Sequence, residues 1–121
     1  MKNILLIDDE PRNIFALSAT LNSKGYNCIA ANSARQGIAF VQQSPPDAIL
    51  IDMMMPEMDG YEATRIIKNL NPDIPVIAVT AQAMLGDKEK CIEAGADSYI
   101  SKPIDVDLLL LTLKRLINYE C

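Results

Sequence analysis

Five of the polar residues that follow the apolar runs of this chain have side chains that can bind phosphate or metal ions. They are two adjacent aspartates near the start, a third aspartate in the middle, a threonine and a lysine: Asp8, Asp9, Asp52, Thr80 and Lys102. Each comes directly after a short apolar run of the sequence, or one residue later. If those runs are neighbouring strands of one sheet, we expect the five side chains to share a crevice where the strands end.

Carboxylates that share a crevice repel each other, and this repulsion predicts a bound cation. Two carboxylates ~4 Å apart cost about 4 kcal/mol at an effective dielectric constant of 20. Mg²⁺ suits the crevice because it takes one or two carboxylates, keeps several waters and accepts phosphate oxygens. We expect Asp9 and Asp52 to ligate it directly, and Asp8 to ligate it directly or through water.

The same crevice could accept a phosphoryl group. A carboxylate beside a divalent cation can attack phosphorus as a nucleophile, and the product is an aspartyl phosphate. Lys102 would bring a compact positive charge to the incoming phosphoryl group, and the Thr80 hydroxyl would donate a hydrogen bond to it. The five residues therefore predict phosphoryl chemistry with Mg²⁺ as the cofactor.

Short apolar runs predict the strands that position these residues. The runs cover residues 4–7, 27–31, 48–51, 76–79 and 98–100. A segment with helical spacing follows each run, and this alternation predicts βαβ units with a parallel sheet covered on both faces. Gly25 and Gly95 are typical of helix ends, and Ser33 of a helix start.

The fold class predicted from this alternation is α/β. We expect a flavodoxin-like, doubly wound (βα)5 architecture with a five-stranded parallel sheet in the order 2-1-3-4-5 and ligands at the carboxyl ends of the strands. The chain has 121 residues, the size of one ordinary domain, and we expect that domain to span residues 1–121.

Composition argues against several other classes of protein. The net charge of −5 opposes direct binding to nucleic acid, and the absence of histidine removes the commonest general base and transition-metal ligand. The apolar runs fall short of the ~20 residues that span a membrane. Three cysteines, Cys28, Cys91 and Cys121, cannot all pair with one another. We expect a reduced, cytoplasmic protein.

Four segments together resemble the signature of response regulator receiver domains of two-component signalling. They are Asp-Asp-Glu at 8–10, Asp-Met-Met-Met-Pro-Glu-Met-Asp-Gly at 52–60, Thr-Ala at 80–81 and Ser-Lys-Pro at 101–103. The resemblance covers the whole chain. It implies that a histidine kinase or histidine phosphotransfer protein donates the phosphoryl group from phosphohistidine, and that Asp52 attacks it with Mg²⁺ present. Such a domain catalyses its own modification without being a conventional enzyme.

The resemblance also implies roles for residues around Asp52. Met54 would ligate Mg²⁺ through its backbone carbonyl, and Met54 and Gln82 occupy places that tune hydrolysis of the aspartyl phosphate. The peptide bond between Lys102 and Pro103 is typically cis in the family. Thr80 and Tyr99 would form the switch, with Tyr99 turning inward on activation; the alternative is an ordinary amphipathic tyrosine at a sheet edge.

Three surface residues of the last helix are candidates for a partner site that reads the switch. The helical spacing gathers a core-facing stripe of Val106, Leu109, Leu110, Leu113, Leu116 and Ile117. Leu108 and Leu111 fall outside the stripe, near Lys114, and we expect them to contact a downstream protein or a second copy of the chain. Phe15 falls off the inward stripe of the first helix, so it either docks the kinase or packs against a neighbouring loop.

Other functions remain as alternatives. A haloacid-dehalogenase-type enzyme needs a second aspartate two residues after the nucleophile, where this chain has Met54. A flavin binder needs a phosphate cradle rich in serine, threonine and glycine, which the loops after the strands lack. A protein-interaction module with the same fold could act without phosphorylation. The stretch 78–84 looks like that of hybrid-kinase receivers, so the chain is either a stand-alone receiver or one cut from a hybrid kinase.

Overall fold

Strands and helices alternate along the chain. The computed structural model describes residues 2–81 and 87–118. The five strands are β1 Asn3–Ile7, β2 Asn27–Ala31, β3 Ala48–Asp52, β4 Val76–Thr80 and β5 Ser98–Ser101. The five helices are α1 Pro11–Ser23, α2 Ala34–Gln43, α3 Gly60–Leu70, α4 Asp87–Glu93 and α5 Val106–Asn118.

All strands are parallel and form one sheet in the order β2-β1-β3-β4-β5. The predicted α/β class and strand order are confirmed. Three predicted strands are one residue too short at their carboxyl ends, because β3, β4 and β5 end at Asp52, Thr80 and Ser101. The ladder reaches these residues because the Met53 N–H still donates to the Val79 carbonyl at 2.9 Å.

The sheet separates two apolar clusters. Along β1, Leu5 and Ile7 belong to one cluster, and Ile4 and Leu6 to the other. This alternation follows from the two-residue period of a strand, which points successive side chains to opposite faces. Helices α2 and α3 contribute to the first cluster, and helices α1 and α5 to the second. Burial on both faces explains why β3 and β4 are apolar almost throughout.

The predicted helix boundaries agree with the structure in three places. Ser33 caps α2 and accepts a hydrogen bond from the Gln36 N–H at 3.1 Å. Gly25 follows α1 at a φ of 91°, and Gly95 follows α4 at a φ of 109°. Both angles lie in the left-handed region, where a residue without Cβ is unstrained.

The prediction that Val106 belongs to the core-facing stripe of α5 is wrong. Leu109, Leu113 and Ile117 are buried, but Val106 is exposed. Val106 is the first residue of α5 and lies beside Pro103 in an open groove. The helical period was therefore right, but the stripe meets the core only after the first turn.

None of the helices in 2–81 and 87–118 combines the length and apolar character that a membrane span requires.

Candidate functional site

Three aspartates meet where β1 and β3 end. Ile7 of β1 pairs with Ile51 of β3, so the residues that follow them, Asp8 and Asp52, lie side by side. One carboxylate oxygen from each of Asp8, Asp9 and Asp52 lies within 4.8 Å of the others. Asp8 and Asp52 are buried, whereas Asp9 is exposed. The predicted convergence of the three aspartates is thus present.

Burial gives Asp8 unusual electrostatics. Removal of its carboxylate from water raises its pKa above the ordinary value of 3.8. A hydrogen bond from the Glu10 N–H, at 2.8 Å from Oδ1, opposes this rise, and the nearby charge of Asp52 adds to it. Proximity to Lys102 lowers the pKa by a smaller amount. The hydrogen bond and the lysine therefore offset only part of the cost of burying the ionised Asp8 carboxylate. A bound cation would offset the rest.

The two oxygens of Asp52 have different surroundings. Oδ1 accepts a hydrogen bond from the Met54 N–H at 3.0 Å. Oδ2 lies 3.5 Å from the Lys102 ammonium. The backbone holds this lysine beside the sheet, because the Lys102 N–H donates to the Thr80 carbonyl at 2.8 Å. One oxygen is therefore held by the backbone, and the other faces a positive charge.

Thr80 and Tyr99 lie on neighbouring strands beside this pair. Thr80 ends β4 and is fully buried, and its partner in the ladder is Ser101. Tyr99 is half-buried on β5 and packs against the cluster that contains Met53. The peptide bond between Lys102 and Pro103 is cis, as the family resemblance implied.

The loop between β3 and α3 folds back onto the backbone of Asp52. The Gly60 N–H donates to the Met53 carbonyl at 3.1 Å, which closes the loop. Asp59 caps α3 by accepting a hydrogen bond from the Glu62 N–H at 2.9 Å. Glu57 adopts a φ of 66°, which a residue with a side chain rarely takes. The loop therefore places α3 directly against the end of β3.

Gly60 is a residue whose importance the sequence analysis missed. A Cβ atom at this position would lie 2.5 Å from the carbonyl oxygen of Asp52 and 2.6 Å from the Cα of Met53. Real Cβ atoms do not approach backbone atoms so closely, and only glycine fits. The Asp-Gly pair ahead of a helical pattern was the available signal, but it gives no distance to Asp52.

The three consecutive methionines divide between core and surface. Met53 and Met55 are buried in the apolar cluster beside the sheet, whereas Met54 is exposed. Backbone atoms of Met54 face the site through its hydrogen bond to Asp52. Gln82, the other residue that resemblance connected with hydrolysis, lies outside the described residues.

The predicted partner residues are all exposed. Phe15 is 79% exposed, which excludes the alternative that it packs against a loop. It lines an open groove of about 710 Å³ together with Asp9 and Ile14. Leu108 and Leu111 are 49% and 66% exposed on α5.

The donors at the site suit a hard divalent cation. Three carboxylate oxygens within 4.8 Å of one another are the ligand type that Mg²⁺ prefers. The described part of the chain contains no histidine, and neither Cys28 nor Cys91 belongs to this group. The residues present therefore fit Mg²⁺ better than a soft transition metal.

Comparisons with known proteins find similarity over most of the chain. A family model described as the response regulator receiver domain matches residues 4–114. The sensor histidine kinase RcsC of Escherichia coli K12 is 41% identical over 110 residues, which cover 91% of this chain and 12% of that protein. Protein PilH of Pseudomonas aeruginosa is 35% identical over 119 residues, 97% of this chain and 98% of PilH. The chain therefore spans only about an eighth of RcsC but nearly all of PilH.

Solved structures show the same architecture. A CheY-like receiver domain protein from Methanospirillum hungatei superimposes with a TM-score of 0.93 at 30% identity, covering 99% of this chain and 96% of that one. The receiver domain of the sensor histidine kinase PA1611 from Pseudomonas aeruginosa superimposes with a TM-score of 0.90 at 37% identity, with coverages of 97% and 98%. That neighbour was solved with a magnesium ion coordinated in its active site cleft.

Proposed function

Since the chain belongs to the response regulator receiver domain family of two-component signalling, we propose that Asp52 accepts a phosphoryl group in a phosphorelay. The family is a signalling module and not a conventional enzyme. The observation that carries the proposal is the meeting of Asp8, Asp9 and Asp52 with the Lys102 ammonium 3.5 Å from Asp52 Oδ2. A purely structural aspartate would gain nothing from two further carboxylates beside it.

Oδ2 of Asp52 would be the nucleophile. Oδ1 is already engaged by the Met54 N–H, whereas Oδ2 faces Lys102. In the proposed step a bond forms between Oδ2 and phosphorus. The phosphorus–nitrogen bond of a partner's phosphohistidine breaks, and the imidazole leaves with its electron pair. The new phosphoryl oxygens then lie beside the Lys102 ammonium, a charge-assisted contact that stabilises them.

Asp8, Asp9, Asp52 and the Met54 carbonyl would hold Mg²⁺, which when bound neutralises carboxylate and phosphoryl charge. The chain's own residues supply the rest. Burial of Asp52 keeps water away from the acceptor, and the Met54 N–H fixes the orientation of its carboxylate. The N-terminal turn of α3 is held against this strand end by the closed loop.

The proposed output begins at Thr80 and Lys102. A phosphoryl group adds up to about two negative charges to the pocket, and these draw the Thr80 hydroxyl and the Lys102 ammonium towards it. Thr80 ends β4, and Lys102 leads from β5 towards α5, so both movements reach the surface formed by α4, β5 and α5. Tyr99 would turn inward as Thr80 moves.

Two surfaces would bind the partners in the cytoplasm. Phe15 lies in the groove next to Asp9, so a histidine kinase or histidine phosphotransfer protein that contacts Phe15 also reaches the acidic site. Leu108, Leu111 and Lys114 lie on α5, do not line this groove, and would bind a downstream protein or a second copy of the chain. Exposed apolar side chains of this kind mark interaction sites.

Intact mass after incubation with a small phosphodonor and Mg²⁺ tests the proposal. We expect one added phosphoryl group on the wild type and none on Asp52→Asn, and we expect EDTA to suppress the reaction. Asp73→Asn is the matched control, because Asp73 is exposed in the loop before β4 at the other end of the sheet. Full labelling of Asp52→Asn, or labelling that persists in EDTA, would contradict the proposal.

A further inference from the structure

The side chain of Asn13 on α1 donates a hydrogen bond to the buried carboxylate of Asp8. Asn13 is half-buried, and it lines a groove of about 270 Å³ together with Asp8 and Lys102. It is neither one of the proposed Mg²⁺ ligands nor part of the proposed switch. Asn13 therefore contacts a proposed ligand without being a ligand itself.

The position of Asn13 in the first turn of α1 explains this contact. The helix begins at Pro11 with Glu10 as its cap, so Asn13 is its third residue. Helical side chains lean towards the N-terminus, which directs Asn13 back to the residues before α1. A polar side chain at the third position often accepts a hydrogen bond from the N–H of the cap residue. Here Asp8 Oδ1 takes the Glu10 N–H at 2.8 Å, and the Asn13 amide donates to Asp8.

Two donors from the start of α1 thus hold the Asp8 carboxylate. A carboxylate with one hydrogen bond can still rotate about its bond to Cβ, and a second donor restricts this rotation. We propose that Asn13 is a positioning residue that keeps Asp8 in the orientation in which it binds Mg²⁺ together with Asp9 and Asp52. Groups that orient metal ligands in this way commonly contribute about tenfold or more to metal affinity. The inference rests on the proposed function, in which this Mg²⁺ assists phosphoryl transfer.

An asparagine suits this role better than a charged residue. A lysine or arginine at position 13 would neutralise Asp8 itself and compete with Mg²⁺ for the carboxylate. An aspartate would add a further negative charge beside carboxylates that already repel one another. The amide of Asn13 donates a hydrogen bond without carrying a charge. It therefore orients Asp8 and leaves the negative charge of Asp8 to the cation.

Calorimetric titration with Mg²⁺ tests the role of Asn13. We expect Asn13→Ala to weaken Mg²⁺ binding by about tenfold. Alanine favours the helix, so the variant should retain α1. Thr20→Ala is the matched control and should bind Mg²⁺ as wild type does, because Thr20 lines the same groove but donates its hydroxyl to the Ala16 carbonyl at 2.9 Å. Equal Mg²⁺ affinities in wild type and Asn13→Ala would overturn the inference, and so would an equal loss in the two variants.

A double-mutant cycle with Asp8→Asn shows whether Asn13 acts through Asp8. If it does, the two substitutions are not additive, because the second removes an interaction that the first has already weakened. In the Asp8→Asn background we expect Asn13→Ala to weaken Mg²⁺ binding by at most about twofold. The same loss in both backgrounds would mean that Asn13 acts independently of Asp8, which would overturn the inference.

Nuclear magnetic resonance of the Asn13 side-chain amide reports on the contact directly. Its two proton signals are assigned by their absence from the spectrum of Asn13→Ala. In wild type without metal we expect the proton bonded to Asp8 to lie downfield, to move upfield in Asp8→Asn and to shift when Mg²⁺ is added. Thr20→Ala should leave both signals in place. Asn13 signals that respond neither to Asp8→Asn nor to Mg²⁺ would overturn the inference.

The outcomes separate this inference from the proposed function. A wild type that binds no Mg²⁺ would contradict the proposed metal site and, with it, the positioning role of Asn13. A wild type that binds Mg²⁺ and takes up the phosphoryl group would support the proposed function. Unchanged Mg²⁺ affinity in Asn13→Ala would then overturn the positioning role alone.

Discussion

The backbone of Asp52 leaves no room for a side chain on Gly60. A Cβ atom on Gly60 would lie 2.5 Å from the Asp52 carbonyl oxygen, and a backbone oxygen cannot rotate away as a side chain can. The Gly60 N–H also donates to the Met53 carbonyl at 3.1 Å. The start of α3 and the end of β3 are therefore fixed against each other, and the proposed acceptor sits at that junction.

Gly60→Ala should therefore displace the site as well as destabilise the fold. Overpacking of this kind typically costs about 1–3 kcal/mol. We expect Mg²⁺ affinity, measured by calorimetric titration, to fall about tenfold, or about 1.4 kcal/mol. Gly37→Ala is the matched control, because its Cβ would overlap side-chain atoms of Ile7 and no backbone atom near Asp52. Similar Mg²⁺ affinities in the two variants would show that Gly60 has no positioning role.

Asp8→Asn should stabilise the protein when no metal is bound. Burial raises the Asp8 pKa above 3.8, so the folded state binds more protons than the unfolded state between the two pKa values. Stability conferred by the protonated form is present below 3.8 and is lost as pH rises through the raised pKa. At pH 7 the ionised carboxylate thus costs stability, and asparagine avoids this cost while keeping an oxygen for the Glu10 N–H.

Urea unfolding in EDTA measures this effect. We expect Asp8→Asn to gain on the order of 1 kcal/mol at pH 7 and to lose that gain as pH falls towards 3.8. Added Mg²⁺ should stabilise the wild type more than the variant, because ligand binding to the folded state adds stability. A variant less stable than wild type at pH 7 in EDTA would contradict the assignment of Asp8.

Lys102→Ala should separate metal binding from switching. The Lys102 ammonium lies 3.5 Å from Asp52 Oδ2 and competes with Mg²⁺ for the same negative charge. We expect the variant to bind Mg²⁺ at least as tightly as wild type. Beryllofluoride, which mimics the phosphoryl group, should change the amide exchange of α4 and α5 in wild type but not in the variant. Lys24→Ala, at an exposed position after α1, is the control. A wild-type exchange response in Lys102→Ala would refute the role of the lysine.

Leu108→Ser and Leu111→Ser should weaken the proposed output contact. Both side chains are exposed on α5, so replacing them should leave the fold intact. We expect each to reduce affinity for a downstream protein, or self-association in beryllofluoride, by about fivefold, roughly 1 kcal/mol. Leu70→Ser is the control, since Leu70 is 48% exposed but lies on α3. We expect it to leave the affinity unchanged. If both α5 variants bind as wild type does, these leucines do not belong to the output surface.

Lys68→Met should destabilise the side of the sheet near β4 and β5. The Lys68 ammonium contacts Asp97 at 2.7 Å and the Ile74 carbonyl at 2.9 Å. The same Asp97 oxygen accepts the Val76 N–H at 2.8 Å, so one cation holds α3, the start of β4 and the turn before β5 together. We expect a loss of about 2 kcal/mol in thermal unfolding, against at most about 0.5 kcal/mol for the exposed Lys88→Met. Equal losses would contradict this account.

The positions of the strands along the chain were available from the sequence because they depend on local patterns, and the α/β class then supplied the expected sheet order. An apolar run of four or five residues followed by helical spacing specifies a buried parallel strand, and the polar residue after it marks the strand end. The sheet order then brings Asp8 next to Asp52 whatever the helices do, since Ile7 and Ile51 pair in the ladder. Residues at strand ends could therefore be predicted to converge before any distance was known.

Side-chain burial and close approaches between helices, loops and strands far apart in sequence were decided only by the tertiary structure. The sequence predicted a core position for Val106 and left Phe15 undecided, because burial of a helical residue depends on what packs beside it and not on its spacing. The close approach of Gly60 to Asp52 and the bond between Lys68 and Asp97 likewise need two elements at a fixed distance. Periodicity sets which way a side chain points; only packing of the whole chain sets what it meets.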